Sequence, residues 1–197
     1  MRRGPTRSTA LRLRIALDGI DPPIWREAIF PRNFTLHELH RSIQVLFDWY
    51  DYHLYEFDID GVRYEAPDED AEGEDSSKAK LSTLVTGPGQ VIRYTYDWGD
   101  DWLHLIEVVD VNVRADPGWI PHLVDGARRG PIEDSGGVPG YQRLIEAIRT
   151  PYEDLDGEDQ AFVDWAGKDF DPDDFSLSQA RHALLLSAAW GSLKRRR

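Results

Sequence analysis

A chain of 197 residues with 41% hydrophobic and 30% charged side chains is long enough to bury a substantial core as one domain beneath a well-solvated exterior. Its lack of cysteine excludes disulfides, thiolate nucleophiles and cysteine-ligated zinc, so any metal would need histidine and carboxylates. A net charge of −13 opposes binding to duplex DNA, and the absence of a long apolar run or a signal-type N-terminus argues against a membrane and for a cytoplasmic location.

Leu11, Leu13, Ile15 and Leu17 alternate with Arg12, Arg14, Ala16 and Asp18, the period of a half-buried strand. Gly19, Pro22 and Pro23 then predict a turn into a second strand, Ile24 to Phe30, paired antiparallel with the first. The clearest helix start follows: Thr35 caps, Glu38 reaches back to the Thr35 N–H, and Phe34 staples onto Leu39. Leu36, Leu39, Ile43, Leu46, Phe47 and Tyr50 form one apolar stripe. The run His37-Glu38-Leu39-His40 resembles the zinc-protease H-E-x-x-H but is one residue short, and the capping box already accounts for its glutamate.

Residues 53–65 read as two strands around a tight turn at Asp60-Gly61. Seven of the eleven residues from Glu65 to Asp75 are acidic and none is large and apolar, so a mobile solvated loop is expected over about 65–79. A short turn or helix at residues 81–85 leads to strand character from Gln90 to Val113, and a Gly- and Pro-rich stretch runs from Asp116 to Gly140. Helices are predicted at Tyr141 to Arg149, at Glu158 to Ala166 with a stop at Gly167, and from Ser176 onward. Strands early and helices late predict an α+β fold with a mainly antiparallel sheet, spanning 11–190 between basic tails at 1–10 and 191–197.

The stretch Tyr94 to His104, YTYDWGDDWLH, reads as a hairpin with a two-residue loop, Gly99-Asp100, or a four-residue loop, Trp98 to Asp101. Either choice sets Asp97 opposite Trp102, Tyr96 opposite Leu103, and Thr95 opposite His104. Ile92, Tyr94, Tyr96, Leu103 and Leu105 then face the core, while Arg93, Thr95, Asp97, Trp102 and His104 make a polar and aromatic face. Asp97 and His104 become diagonal neighbours, either a structural hydrogen bond or part of a ligand or metal site. Glu133 and Asp134, beside Gly136, Gly137 and Gly140, are the obvious further contributors. His53 and His122 are additional candidates, for which local hydrogen bonding is the plainer role.

PPIWR at Pro22 to Arg26, the long motif from Leu36 to Phe57, the hairpin, PIEDSGGVPGY at Pro131 to Tyr141 and FDPDDF at Phe170 to Phe175 together resemble the plasmid-pRiA ORF-three-like family, also described as insertion-element TnpR-like passenger proteins. The resemblance runs from Leu11 to Leu184 and implies a compact α+β domain frequent on mobile elements, with no activity attached. Common members carry cysteines where this chain has Leu123, Gly130 and Ser135, so no cysteine-dependent metal or redox role carries over.

The leading expectation is a non-enzymatic binding or accessory module, associated with plasmids or mobile elements. Its surface, for a protein, peptide or small ligand, would contain His53, Asp97, Trp102, His104, Glu133 and Asp134. The rival is a metal-assisted hydrolase or nuclease-like enzyme in which Asp97, His104, Glu133 and Asp134 hold Mg²⁺, Mn²⁺ or Zn²⁺. A third reading, a DNA-binding regulator, rests on the basic tails and the TnpR-like description.

Overall fold

Alternating apolar residues build an α+β fold in a computed structural model that describes residues 8–67, 71–115 and 121–194. The elements run β1 (Ser8–Leu17), β2 (Trp25–Pro31), α1 (Leu36–Phe47), β3 (Tyr55–Ile59), β4 (Val62–Glu65), β5 (Glu74–Asp75), α2 (Leu81–Leu84), β6 (Val91–Tyr96), β7 (Trp102–Ala115), β8 (His122–Ala127), α3 (Gly137–Arg149), α4 (Gly157–Ala166) and α5 (Leu177–Lys194). Among the described residues the eight strands form one sheet in the order β5-β4-β3-β6-β7-β1-β2-β8. Every pairing is antiparallel except that of β4 with β5. The ends of the basic tails, residues 1–7 and 195–197, and residues 68–70 of the acidic segment lie outside the described residues.

The sheet buries one face. Leu11, Leu13, Ile15 and Leu17 of β1, Phe30 of β2, Phe57 of β3, Ile92 of β6 and Ile106 of β7 join Leu36, Leu39, Ile43 and Phe47 of α1 in a single core cluster. Arg12, Arg14 and Glu27 point the other way, where Arg12 pairs with Glu27 and Arg14 lies over the Trp25 ring. The opening hairpin, the Asp60-Gly61 turn with both residues at positive φ, and helices α4 and α5 follow the sequence pattern, while α3 begins at Gly137 rather than at the expected Tyr141.

Two expectations change here. The segment 71–79, anticipated as part of a mobile loop, is packed: β5 adds to the sheet edge, and the Leu36 and His37 N–H groups donate to the Ala79 and Ser76 carbonyls. Ser76 is fully buried, which the acidic composition of its neighbours hides. Strand β8 emerges from the stretch read only as Gly- and Pro-rich. It holds through pairing with β2, one buried residue, Leu123, and Arg181 of α5, whose guanidinium caps the Leu123 and Val124 carbonyls.

A buried cation ties the layers together. Arg26 points inward from β2 and donates to the carbonyls of Leu46, Trp25, Ala127 and Arg128. Leu46 lies in the last turn of α1, the negative end of the helix dipole, so the helix supplies part of the countercharge. Burial still holds the guanidinium down at about 10.

At the other end of α1 the capping box forms as anticipated, with the Glu38 N–H donating to the Thr35 hydroxyl and the Thr35 N–H to the Glu38 carboxylate. The zinc-protease likeness is thereby excluded: Glu38 caps, His37 bonds the Tyr55 hydroxyl, and His40 is buried between Tyr94 and Asp51. Thr35→Ala should lower unfolding free energy by about 1 kcal/mol, read from urea denaturation, with an unchanged m-value.

Candidate functional site

Three loops meet at one end of the sheet. The first follows α1. Asp48 adopts a left-handed conformation, φ 64°, and ends the helix, so Tyr50 does not continue the apolar stripe as the sequence suggested but stands 70% exposed. Asp51, also left-handed, turns the chain again and places its carboxylate against His40. Trp49 turns inward, stacks on Tyr96 and donates from its indole to the Pro131 carbonyl at 2.8 Å.

The second loop is the tip of the β6–β7 hairpin, and it corrects the anticipated register. Tyr96 pairs with Trp102, Thr95 with Leu103 and Tyr94 with His104, so the loop has five residues, Asp97 to Asp101. Asp97 and Asp101 both take positive φ, and the Asp101 N–H closes onto the Asp97 carbonyl at 2.7 Å. An odd loop shifts the pairing by one residue, which reverses the face of every side chain on the second strand. Trp102 and His104 are therefore core residues, each 0% exposed, on the same side as Tyr94 and Tyr96. Asp97 is at the tip, and the shared Asp97–Trp102–His104 face does not exist.

The third loop carries Glu133 and Asp134 and docks onto the hairpin tip. Asp100 accepts the Gly136 N–H, and Gly137 packs so closely that a Cβ there would lie 2.2 Å from the Asp100 carbonyl oxygen. Gly137 also has φ 66°, so glycine is required twice over. Gly130, one of the positions where relatives were read as having cysteine, lies equally tight against the Phe47 carbonyl.

One bond set joins all three loops. The Tyr96 hydroxyl donates to Glu133 Oε1 at 2.5 Å and accepts the N–H groups of Tyr52 and His53 at 3.0 and 3.3 Å. Glu133 Oε2 accepts the Tyr50 N–H. Burial and the adjacent carboxylate push the phenol upward, so it stays protonated as the donor. Glu133 thus has both oxygens committed and acts as a positioning residue rather than a free ligand.

His53, Asp97 and Asp134 do converge. His53 Nε2 lies 3.1 Å from Asp134 Oδ1 and 3.6 Å from Asp97 Oδ2. These three offer one nitrogen and two carboxylate oxygens that could be shared by an ion. The four-residue hydrolytic set is not assembled, because His104 is sealed in the core and Glu133 is engaged. Beside the triad a cleft of about 270 Å³ is lined by Asp48, Tyr50, Tyr52, Arg129, Glu133 and Asp134. The sequence pattern puts Tyr50 in the helix stripe and does not mark Tyr52; the run of aromatic and acidic residues from Asp48 to Tyr52, beyond the helix end, is the signal that singles them out.

Of the other histidine candidates, His122 is the exposed first residue of β8, and His104 has structural work. His104 Nδ1 donates to the Trp102 carbonyl at 3.0 Å, and its ring packs edge-on against Phe47 and Trp49. Its value falls to about 3, chiefly through burial, against upward contributions from the Trp102 and Tyr94 backbones. The unfolded imidazole titrates near 6.5, so between these values the unfolded chain binds one more proton. Stability is then complete above that range and falls on acidification by about 1.4 kcal/mol per pH unit. His37 and His40, also lowered mainly by burial, act in the same direction. Urea midpoints measured from about pH 7 down to about pH 4 should fall, and His104→Leu should remove one proton from that slope. Tyr96→Phe, which strips Glu133 and two backbone N–H groups of a partner, should cost about 1–3 kcal/mol in the same assay.

Among the described residues no helix is long and apolar enough to cross a membrane. An uncharacterized protein of Sinorhizobium fredii, y4hQ, is 31% identical over 195 residues, covering 96% of this chain and 98% of that protein. The crystal structure of a protein of unknown function, MM3350 from Methanosarcina mazei Go1, superposes with a TM-score of 0.77 at 33% identity, covering 88% of this chain and 98% of the other. The family model of plasmid pRiA4b ORF-3-like proteins matches residues 9–179, the span that contains the sheet, the three loops and the triad. This chain therefore belongs to the plasmid pRiA4b ORF-3-like protein family.

Proposed function

We propose that this protein is a binding module without a catalytic step of its own, and that its cleft captures a Lys- or Arg-bearing segment of a protein partner. The observation that carries this reading is the pair Tyr50 and Tyr52, 70% and 76% exposed, stacked with ring centroids 5.6 Å apart at the mouth of the cleft. Large aromatic side chains held in water are unfavourable unless a partner covers them, and tyrosine is enriched where partners bind.

The surroundings select the partner's chemistry. Asp48 and Asp134 line the same cleft with carboxylates, and Arg129, its cation, lies over the Phe170 ring. Aromatic faces beside carboxylates suit a guanidinium or ammonium group, each cation–π contact contributing about 0.5–1 kcal/mol at an exposed site. The net charge of −13 steers such a segment toward the surface from a distance. Work in the cytoplasm and an accessory role on plasmids or other mobile elements belong to the same proposal; their support is the lack of cysteine and the plasmid origin in the family's description.

Fluorescence anisotropy with a labelled peptide of alternating Arg and Gly tests the reading, with its Glu counterpart as reference. The Arg peptide should bind, lose affinity with added salt, and weaken about tenfold in a Tyr50→Ala/Tyr52→Ala variant, the sum of two such contacts. The double variant leaves the charge unchanged. Equal affinity in wild type and variant would mean bulk charge alone attracts the peptide and would defeat the proposal.

A further inference from the structure

We infer that His53, Asp97 and Asp134 form a binding site for one divalent transition-metal ion, Zn²⁺ or Mn²⁺, at the rim of the cleft. The donors come from three different loops and all lie within 4.8 Å of one another. Two ligand atoms each about 2.1 Å from a tetrahedral ion stand roughly 3.4 Å apart. The two separations from His53 Nε2, 3.1 Å and 3.6 Å, lie on either side of that value.

Hydrogen bonding alone does not account for the histidine. Its Nε2 atom is shielded from solvent yet makes no aligned hydrogen bond among the described residues, although two carboxylate oxygens face it. A shielded ring nitrogen without such a bond is costly; His104 Nε2 shares that condition inside the apolar core, but His53 Nε2 alone also faces two carboxylate oxygens, the setting of a nitrogen whose lone pair is given to a metal.

The supporting contacts are those of a coordination site. Asp97 presents Oδ2 to His53 because the Gly99 N–H holds its other oxygen, Oδ1, at 2.9 Å. The His53 backbone is held by the Tyr96 hydroxyl, and the ring packs edge-on against Tyr96. Such outer contacts orient first ligands before the ion arrives. One imidazole and two carboxylates, in a chain without cysteine, suit Zn²⁺ or Mn²⁺ rather than copper(I) or an iron–sulfur cluster. Three protein ligands leave a coordination position open. Asp134 belongs both to the triad and to the cleft wall, which puts the ion beside whatever the cleft holds.

The site does not depend on peptide capture, and its test keeps the two apart. Untagged full-length protein, stripped with a chelator and dialysed, is titrated calorimetrically with ZnCl₂ and with MnCl₂. Wild type should take up one ion per chain. His53→Ala and Asp134→Asn should each lose at least about tenfold in affinity, while Glu72→Gln and Tyr50→Ala/Tyr52→Ala should match wild type. The Asp134 side chain is 64% exposed, so its Asn variant reports on ligation without disturbing the core. Absence of stoichiometric uptake by wild type, wild-type affinity in both ligand variants, or an equal loss in Glu72→Gln would each overturn the assignment.

Discussion

The hydrogen bond from the Tyr96 hydroxyl to Glu133 is the contact on which the rest of the site depends. It sits at the end of β6, where the sheet stops and three loops must be kept in register without strand pairing. Through that hydroxyl the 50–53 segment is held by its own backbone N–H groups, and through Glu133 the glycine-containing loop is held against it. A charged hydrogen bond in a buried setting is worth about 1.5–3 kcal/mol, enough to offset the backbone entropy of one residue it restrains, about 1–2 kcal/mol. His53, Asp97 and Asp134 stand where they do because this junction puts their backbones there.

Beneath the junction lies a polar layer of the same kind. His40 donates from Nε2 to Asp51 and receives the Tyr94 hydroxyl on Nδ1, while Gln44 donates to the same hydroxyl and accepts the Asp51 N–H. A neutral His40 protonated on Nε2 satisfies every one of these bonds, and burial lowers its basicity despite the carboxylate beside it. For Asp51, burial pulls upward, but the His40 hydrogen bond, with the Arg41 charge nearby, wins and holds it below the usual range. The result locks α1 to β6 and carries the helix end, with Asp48 to His53, to a defined place. The histidines divide by burial: His40 and His104 are sealed in the interior, while His37 and His53 are half-buried, His53 at the rim of the cleft.

How far the chain could be read in advance follows the range of the interaction involved. The capping box at Thr35, the Asp60-Gly61 turn and the Gly167 stop are local, and each is where the residues indicated. Strand β8 was hidden because its evidence lies elsewhere, in β2 and in Arg181 some 58 positions later. Of the candidate site residues, His53, Asp97 and Asp134 meet; Glu133 stands behind them, and Trp102 and His104 are sealed in the core on the face of Tyr94 and Tyr96. That division turned on whether the hairpin loop had an odd or even number of residues. Aspartate tolerates the left-handed conformation well enough that Asp97 and Asp101 both adopt it, and Gly99 had suggested the shorter loop.

Sequence alone determined most of the elements, though not β5 or β8: periodicity, caps and turn dipeptides act over a few residues, and they specify an α+β chain with a mainly antiparallel sheet. Its composition also excluded thiolate ligands from any metal chemistry. Only the tertiary structure decided which acidic and aromatic residues meet. A strand's side chains alternate with period 2, so a one-residue shift in pairing exchanges core for surface, and the shift is settled by the docking of Gly136 and Gly137 onto Asp100 and by the Tyr96–Glu133 junction. Both join residues about 36 positions apart, beyond the reach of any local pattern.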